Sequence, residues 1–364
     1  MRRLRNTGLL LLAALLTGLC CQAQTTNAFV SENVSFTGTD TLHYGGTLTL
    51  PKGQKRSAAV IILSGTNPQN RDGEMAGHKV FKEIAEYLSS RGIAVLRTDD
   101  RGVGETNGDY SQATTYDFAT DAIAAVKYLK TRKDIKHNRI GLLGHSEGGA
   151  VASIATARCK DVAFMISAAG LMTDGLSSVI QQNIDIVHAC DIPDYDKSRY
   201  DEINGIMFPI AYKYADADSL VLANHLQEAY DKWSPRSDSI FKSQNAGEFD
   251  HFRFPIYRYI LQATSPWYRF FIRYNPADYL SKVNVPVLAI NGTKDIMVNC
   301  EQNLGNVKRY LAHNKDVTTV PIEGVNHLLL PCETGTQEEY SKITSPVSPK
   351  VLEVIFQWIK THVK

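Results

Sequence analysis

The chain has 364 residues, 43% hydrophobic and 21% charged, with a formal net charge of +1. That is globular composition, long enough for one large domain with an insertion or for two domains. Its lysines and arginines are scattered among acids, which excludes a basic track for nucleic acid and leaves a mixed, solvated surface.

Arg2, Arg3 and Arg5 make a positive start, and the apolar run from Leu9 to Leu19 is too short to span a bilayer. Cys21-Gln22-Ala23 then offers a cleavage site before Gln24. Residues 1–23 therefore read as a signal peptide, predicting export to the periplasm or beyond with no stable membrane span. A lipid anchor on Cys20 or Cys21 is the weaker reading, because Leu19 is too large for the position before the modified cysteine. Cys159, Cys190, Cys300 and Cys332 remain and show no C-x-x-C spacing, which argues against zinc and redox motifs. An oxidising compartment permits a disulfide among them, but the sequence singles out no pair.

Two alternating segments follow the leader, Val34-Ser35-Phe36 and Leu42 to Leu50, broken by Gly45-Gly46 and read as a hairpin or antiparallel edge. A rhythm of buried strands and helices comes next. Strands are expected at 58–63, 93–97, 140–143 and 162–166, with helices at 80–88, 119–129 and 150–157. Such alternation means parallel strands joined by crossovers, with residues 24–170 forming the first part of an α/β core. The rhythm stops near Leu171. Residues 171–280 hold 19 of the 33 aromatic residues, too many for a solvated linker, so a helical cap insertion is expected there. Core patterning returns over 281–364, with strands at 285–290 and 317–320, a helix at 303–313 and a closing helix at 351–359.

In a parallel sheet, ligands meet the carboxyl ends of the strands, so the residues after each strand carry the chemistry. Strand 140–143 runs into Gly144-His145-Ser146-Glu147-Gly148 and then a helix, which is G-x-S-x-G in the strand–turn–helix setting that gives the motif meaning. Strand 285–290 leads to Asp295, and strand 317–320 leads to His327. Ser146, Asp295 and His327 then form a candidate triad. His327 takes the serine proton, and Asp295 fixes its tautomer. An oxyanion hole needs two donors, expected from the backbone N–H of Glu147 and of Thr66, with Gly65 as the near alternative. Glu147 is either an exposed carboxylate or the partner of Arg71 or Arg101. We expect the pair, holding the oxyanion loop against the turn.

Taken together, Ser64-Gly65-Thr66-Asn67-Pro68-Gln69-Asn70-Arg71-Asp72, Asp100-Arg101-Gly102-Val103-Gly104, Gly144-His145-Ser146-Glu147-Gly148-Gly149, Tyr274-Asn275-Pro276-Ala277, Asn291-Gly292-Thr293-Lys294-Asp295 and Asn326-His327 resemble a bacterial serine-esterase branch of the α/β-hydrolase superfamily, related to the serine aminopeptidase-like hydrolases. The resemblance implies an α/β-hydrolase fold and hydrolysis of simple carboxylic esters. One departure stands in the oxyanion loop, where Thr66-Asn67 replace the branch's usual Ser-Gly.

Asp100 to Gly104 lacks a phosphate-loop signature and reads as a tight connection beside the pocket. The histidines show no metal-ligand spacing, so neither metal nor cofactor is expected. Tyr257, Tyr259, Trp267, Phe270 and Phe271 are expected mostly in the core of the cap. The leading expectation is an exported serine carboxylesterase acting on a small-molecule or glycan-linked ester. A serine aminopeptidase on the same fold is the alternative and would need cap acids, such as Asp216, Asp218, Glu228 and Asp231, to hold a substrate amine. A non-catalytic binding protein is disfavoured, because all three triad candidates are present.

Overall fold

A computed structural model of the chain describes residues 28–38, 41–244, 250 and 252–362. The expected signal peptide lies outside these residues. Eight strands form one sheet: β1 (Phe29–Thr37), β2 (His43–Pro51), β3 (Ser57–Leu63), β4 (Ile93–Thr98), β5 (Ile135–His145), β6 (Phe164–Ala168), β7 (Val287–Gly292) and β8 (Val317–Ile322). Their order is β1-β2-β4-β3-β5-β6-β7-β8, antiparallel over the β1–β2 hairpin and the β2–β4 pair and parallel elsewhere.

The apolar runs are continuous because the sheet is buried on both faces. Along β3, Ala59, Ile61 and Leu63 face one core, while Ala58, Val60 and Ile62 face the other. Ala94 and Leu96 of β4 divide from Ile93 and Val95 in the same way. This is the period-two geometry of a strand with a hydrophobic layer on each side. Helices α1 (Val80–Ser89) and, at the end of the chain, α10 (Pro349–His362) cover one face. Helices α2 (Thr115–Leu129), α3 (Glu147–Arg158) and α9 (Cys300–Tyr310) cover the other. Helix α2 starts on a reciprocal cap, in which the Thr114 side chain bonds the Asp117 N–H and the Asp117 side chain bonds the Thr114 N–H.

Between β6 and β7 the chain forms α4 (Gly175–Ala189), α5 (Asp194–Lys213), α6 (Ser219–Gln244), α7 (Ile256–Ala263) and α8 (Pro266–Arg273). Their shared core is aromatic, with Phe208, Trp233, Phe252, Tyr259 and Tyr268 all buried. Arg199, 2% exposed, binds Asp196, Asp250 and the Ser237 hydroxyl there and lies over the Phe252 ring. A buried cation needs that full set of partners. Tyr257 departs from the expectation for the cap aromatics. It is 72% exposed, because the short helix α7 turns Tyr259 inward and leaves Tyr257 on its outer side. Tyr259 and Phe271 are buried, and Trp267 and Phe270 are partly buried. All four cysteines of the described part, Cys159, Cys190, Cys300 and Cys332, are free thiols.

Candidate active site

Strand β5 ends at His145 and α3 begins at Glu147, so a single residue turns the chain. That residue is Ser146, at φ 56° and ψ −127°, a conformation that costs on the order of 1–3 kcal/mol for a side chain other than glycine. The flanking glycines exist for space. A Cβ on Gly144 would stand 2.0 Å from the Gly148 carbonyl oxygen, and one on Gly148 would stand 2.3 Å from the Leu63 oxygen. Ser146 occupies the N-cap position of α3, yet its hydroxyl makes no capping bond. It turns instead to His327, whose Nε2 is 3.0 Å from Ser146 Oγ.

The other two loops are fastened to each other. Thr293 N–H bonds the Ile322 carbonyl and Lys294 N–H bonds the Val325 carbonyl. A Cβ on Gly292 would lie 2.0 Å from that same Val325 oxygen, so the crossing requires glycine. Asn326, fully buried, folds its own loop by accepting the N–H groups of Leu328 and Leu330. Asp295 Oδ2 comes to 3.0 Å from His327 Nδ1. Its Oδ1 accepts the N–H groups of Met297 and Val298, and Asn291 Nδ2 donates to Oδ2. The carboxylate is therefore fixed by four contacts. The imidazole points its remaining nitrogen at the serine.

His145 supports this arrangement from below. It is 1% exposed, and its Nε2 lies 2.8 Å from the His327 carbonyl oxygen. Because a carbonyl only accepts, Nε2 carries the proton. Burial, followed by the neighbouring His327 ring, pulls the His145 pKa down to about 4, so the ring is a neutral donor near pH 7. Its place beside the nucleophile was the one sequence signal for this role.

The loop after β3 passes against Ser146 because Leu63 pairs with Gly144 in the sheet. A Cβ on Gly65 would lie 2.8 Å from Ser146 Cβ. The Thr66 N–H has no acceptor among the described residues. The Glu147 N–H opens α3, where a helix has no carbonyl one turn back to receive it. Neither N–H therefore has an acceptor among the described residues. Asn67 adopts φ 74°, the left-handed region that glycine enters freely and asparagine tolerates. The Ser-Gly to Thr66-Asn67 departure is therefore compatible with the same turn.

Glu147 pairs with neither arginine. It is 2% exposed and accepts three neutral donors: Thr66 Oγ1 at 2.8 Å, Thr115 Oγ1 at 2.6 Å and Trp267 Nε1 at 2.9 Å. Arg71 is taken by Asp99 and Glu105, and Arg101 by Asp121. Those acids lie closer along the fold, and Glu147 is enclosed on the cap side of the loop. Arg71 nevertheless ties the loop after β3 to the end of β4, since both its backbone N–H and its guanidinium bond Asp99. Asp100, next in sequence, accepts Ser64 Oγ and Gln69 N–H from the same loop. Burial raises its pKa to about 7 against the opposing effect of those two bonds, with the Glu147 and Asp121 charges adding to the rise. Burial also raises the Glu147 carboxyl, and its three hydrogen bonds oppose the shift. The sequence read Asp100 as part of a tight connection beside the pocket and Trp267 as cap core, but it gave no signal for the bonds that Asp100, Thr115 and Trp267 make, because neutral donors and lone acids are common along any chain.

Over these groups the cap closes a cavity of about 630 Å³, lined by Ser146, His327 and Thr66 on the core side and by Phe208, Tyr259 and Trp267 from the cap. Among the described residues lining it, the charged side chains other than histidine are Glu147 and Arg258. Asp216, Asp218, Glu228 and Asp231 are not among the lining residues. No cluster of His, Cys, Asp and Glu with metal-binding geometry occurs among the described residues. Nor is any helix among them long and apolar enough to cross a membrane.

Residues 55–189 match the family model described as Serine aminopeptidase, S33. Over 315 residues the chain is 25% identical to esterase EstD of Thermotoga maritima, covering 86% of this chain and 65% of EstD. A shorter match, 28% identical over 136 residues, joins it to the protein YfhR of Salmonella typhimurium and covers 44% of that protein. The chain thus spans less than two thirds of the curated relatives it matches. In three dimensions it is similar to the α/β hydrolase GrgF from a Penicillium species, with a TM-score of 0.56 at 18% identity over 92% of this chain and 99% of that one. It is also similar to an esterase of Pyrococcus furiosus, with a TM-score of 0.53 at 15% identity over 92% of each chain.

Proposed function

We propose that the chain is a serine carboxylesterase on an α/β-hydrolase fold, with Ser146 as its nucleophile. The observation that carries the proposal is the pair of 3.0 Å contacts through His327, to Ser146 on one side and Asp295 on the other. A serine hydroxyl is a weak nucleophile at neutral pH until a positioned base takes its proton. His327 Nε2 accepts that proton as Oγ attacks the ester carbonyl. Asp295 steadies the imidazolium that forms. Negative charge collects on the carbonyl oxygen and is met by the Glu147 and Thr66 N–H groups. The imidazolium then protonates the departing alcohol, leaving an acyl group on Ser146. Water, activated by His327, hydrolyses it and restores the hydroxyl.

An aminopeptidase on the same triad would need a carboxylate free to bind the substrate ammonium. Among the described residues the one carboxylate lining the cavity, Glu147, is already engaged by three donors, and the other charge there is the cation Arg258. That favours the ester reading. Comparing p-nitrophenyl acetate with an aminoacyl p-nitroanilide tests it: the ester is hydrolysed and the anilide is not. Faster turnover of the anilide would reverse the assignment. The proposal also places the enzyme outside the cytoplasm, on the basic start, the apolar run Leu9 to Leu19 and the Cys21-Gln22-Ala23 site.

A further inference from the structure

Three cap helices bring polar side chains to the cavity that the protein does not use. Ser178 of α4 and Asn204 of α5 are each 9% exposed and line the cavity. Neither side chain hydrogen-bonds another described residue, although buried polar groups are nearly always partnered. Gln182, one turn beyond Ser178, gives its Nε2 to the Met297 carbonyl, which leaves its oxygen for the cavity. Gln262 and Arg258 of α7, one turn apart, also line it without a hydrogen bond to another described side chain. The rings of Phe208 and Tyr259 line the same cavity.

A purely hydrocarbon acyl or alkyl group would cover these amides and the hydroxyl without partnering them, at a cost for each. A substrate ammonium would meet Arg258. Sugar hydroxyls both donate and accept, as amides and hydroxyls do, and the C–H faces of a sugar ring suit aromatic rings. We propose that the cap side of the cavity is a saccharide subsite, so that the ester cleaved is an acyl group on a sugar hydroxyl. This rests on the esterase reading given above. Ser146 would take the acyl group, and the sugar would leave as the free alcohol protonated by His327.

The experiment compares an acetylated methyl glycoside with cyclohexyl acetate, a ring of similar size without further hydroxyls. The wild-type chain should favour the glycoside by about tenfold or more in kcat/KM, and Asn204→Leu should lower that ratio about tenfold. Gln262→Leu, at an exposed position that the fold does not depend on, should lower it in the same direction. Calorimetry on Ser146→Ala reads the subsite without catalysis. It should bind the acetylated glycoside, and the added Asn204→Leu change should abolish that binding. Equal turnover of both acetates, or a Ser146→Ala chain that binds no glycoside, overturns the subsite. If both acetates are hydrolysed, the esterase reading survives that result. Glycoside binding without turnover of either ester by wild type would sink the esterase reading instead.

Discussion

Ser146 and Glu147 are neighbours with opposite environments. One hydroxyl is left uncapped for a base, while the carboxylate beside it is closed in by Thr66, Thr115 and Trp267. Under the proposed mechanism the Thr66 N–H meets the oxyanion, and Glu147, which accepts the Thr66 hydroxyl, then acts as a positioning residue. Glu147→Gln keeps the volume but sets an amide donor against hydroxyl and indole donors. It should lower kcat about tenfold, a loss of ~1.4 kcal/mol, with little change in KM. Steady-state kinetics checks this, and an unchanged kcat removes Glu147 from the loop's support. Asp100 gives a pH test. Its carboxyl is raised from 3.8 to about 7, so the folded state holds the proton more tightly than the unfolded chain. Its favourable contribution is complete below the unfolded value and is lost as pH rises through the folded one. Asp100→Asn lacks that loss. The variant's Tm relative to wild type should climb between about pH 4 and pH 7, and a flat difference would contradict the assignment. His145, held at about 4, works in the reverse sense, since its contribution is present above the ordinary histidine value and fades as pH falls toward 4.

Among the elements, the turn between β5 and α3 is packed too closely for any side chain at Gly144 or Gly148. Its glycines were visible in the sequence as a motif, but their physical reason is visible only in space. Gly148→Ala would push a methyl to 2.3 Å from a backbone oxygen of β3, which cannot swing away as a side chain would. The substitution should cost on the order of 3 kcal/mol and lower Tm by several degrees in thermal denaturation. A variant as stable as wild type would show that β3 and α3 are less closely seated than described. The strands themselves were legible because both faces of the sheet are buried, which leaves unbroken apolar runs such as Ala58 to Leu63. The partners of Glu147 were not legible. They lie 81, 32 and 120 residues away and carry no charge to suggest a pair. The conspicuous charges, Arg71 and Arg101, were claimed by acids that the fold brings nearer.

On the scale of the whole molecule, one sheet gathers three loops at its carboxyl end and a cap covers them. The order Ser146, Asp295, His327 along the chain could be read directly, because each follows a recognisable strand. The interior of the cap could not. Residues 171–280 announced helices and aromatic burial, but which aromatic faces in depends on packing between short helices, as Tyr257 and Tyr259 show. Trp267 links the two parts through its bond to Glu147. Trp267→Phe keeps the ring and removes the N–H, and should raise KM severalfold through a loosened cap. Unchanged KM would mean that the cap is seated without that bond. Under the proposed mechanism these loops form one proton-handling site around a single serine. Labelling with a fluorophosphonate, read by intact mass and peptide mapping, tests it most directly. A single adduct should form on Ser146, with ester turnover lost in proportion to labelling and with neither adduct nor turnover in Ser146→Ala. Ester hydrolysis at the wild-type rate by Ser146→Ala would contradict it.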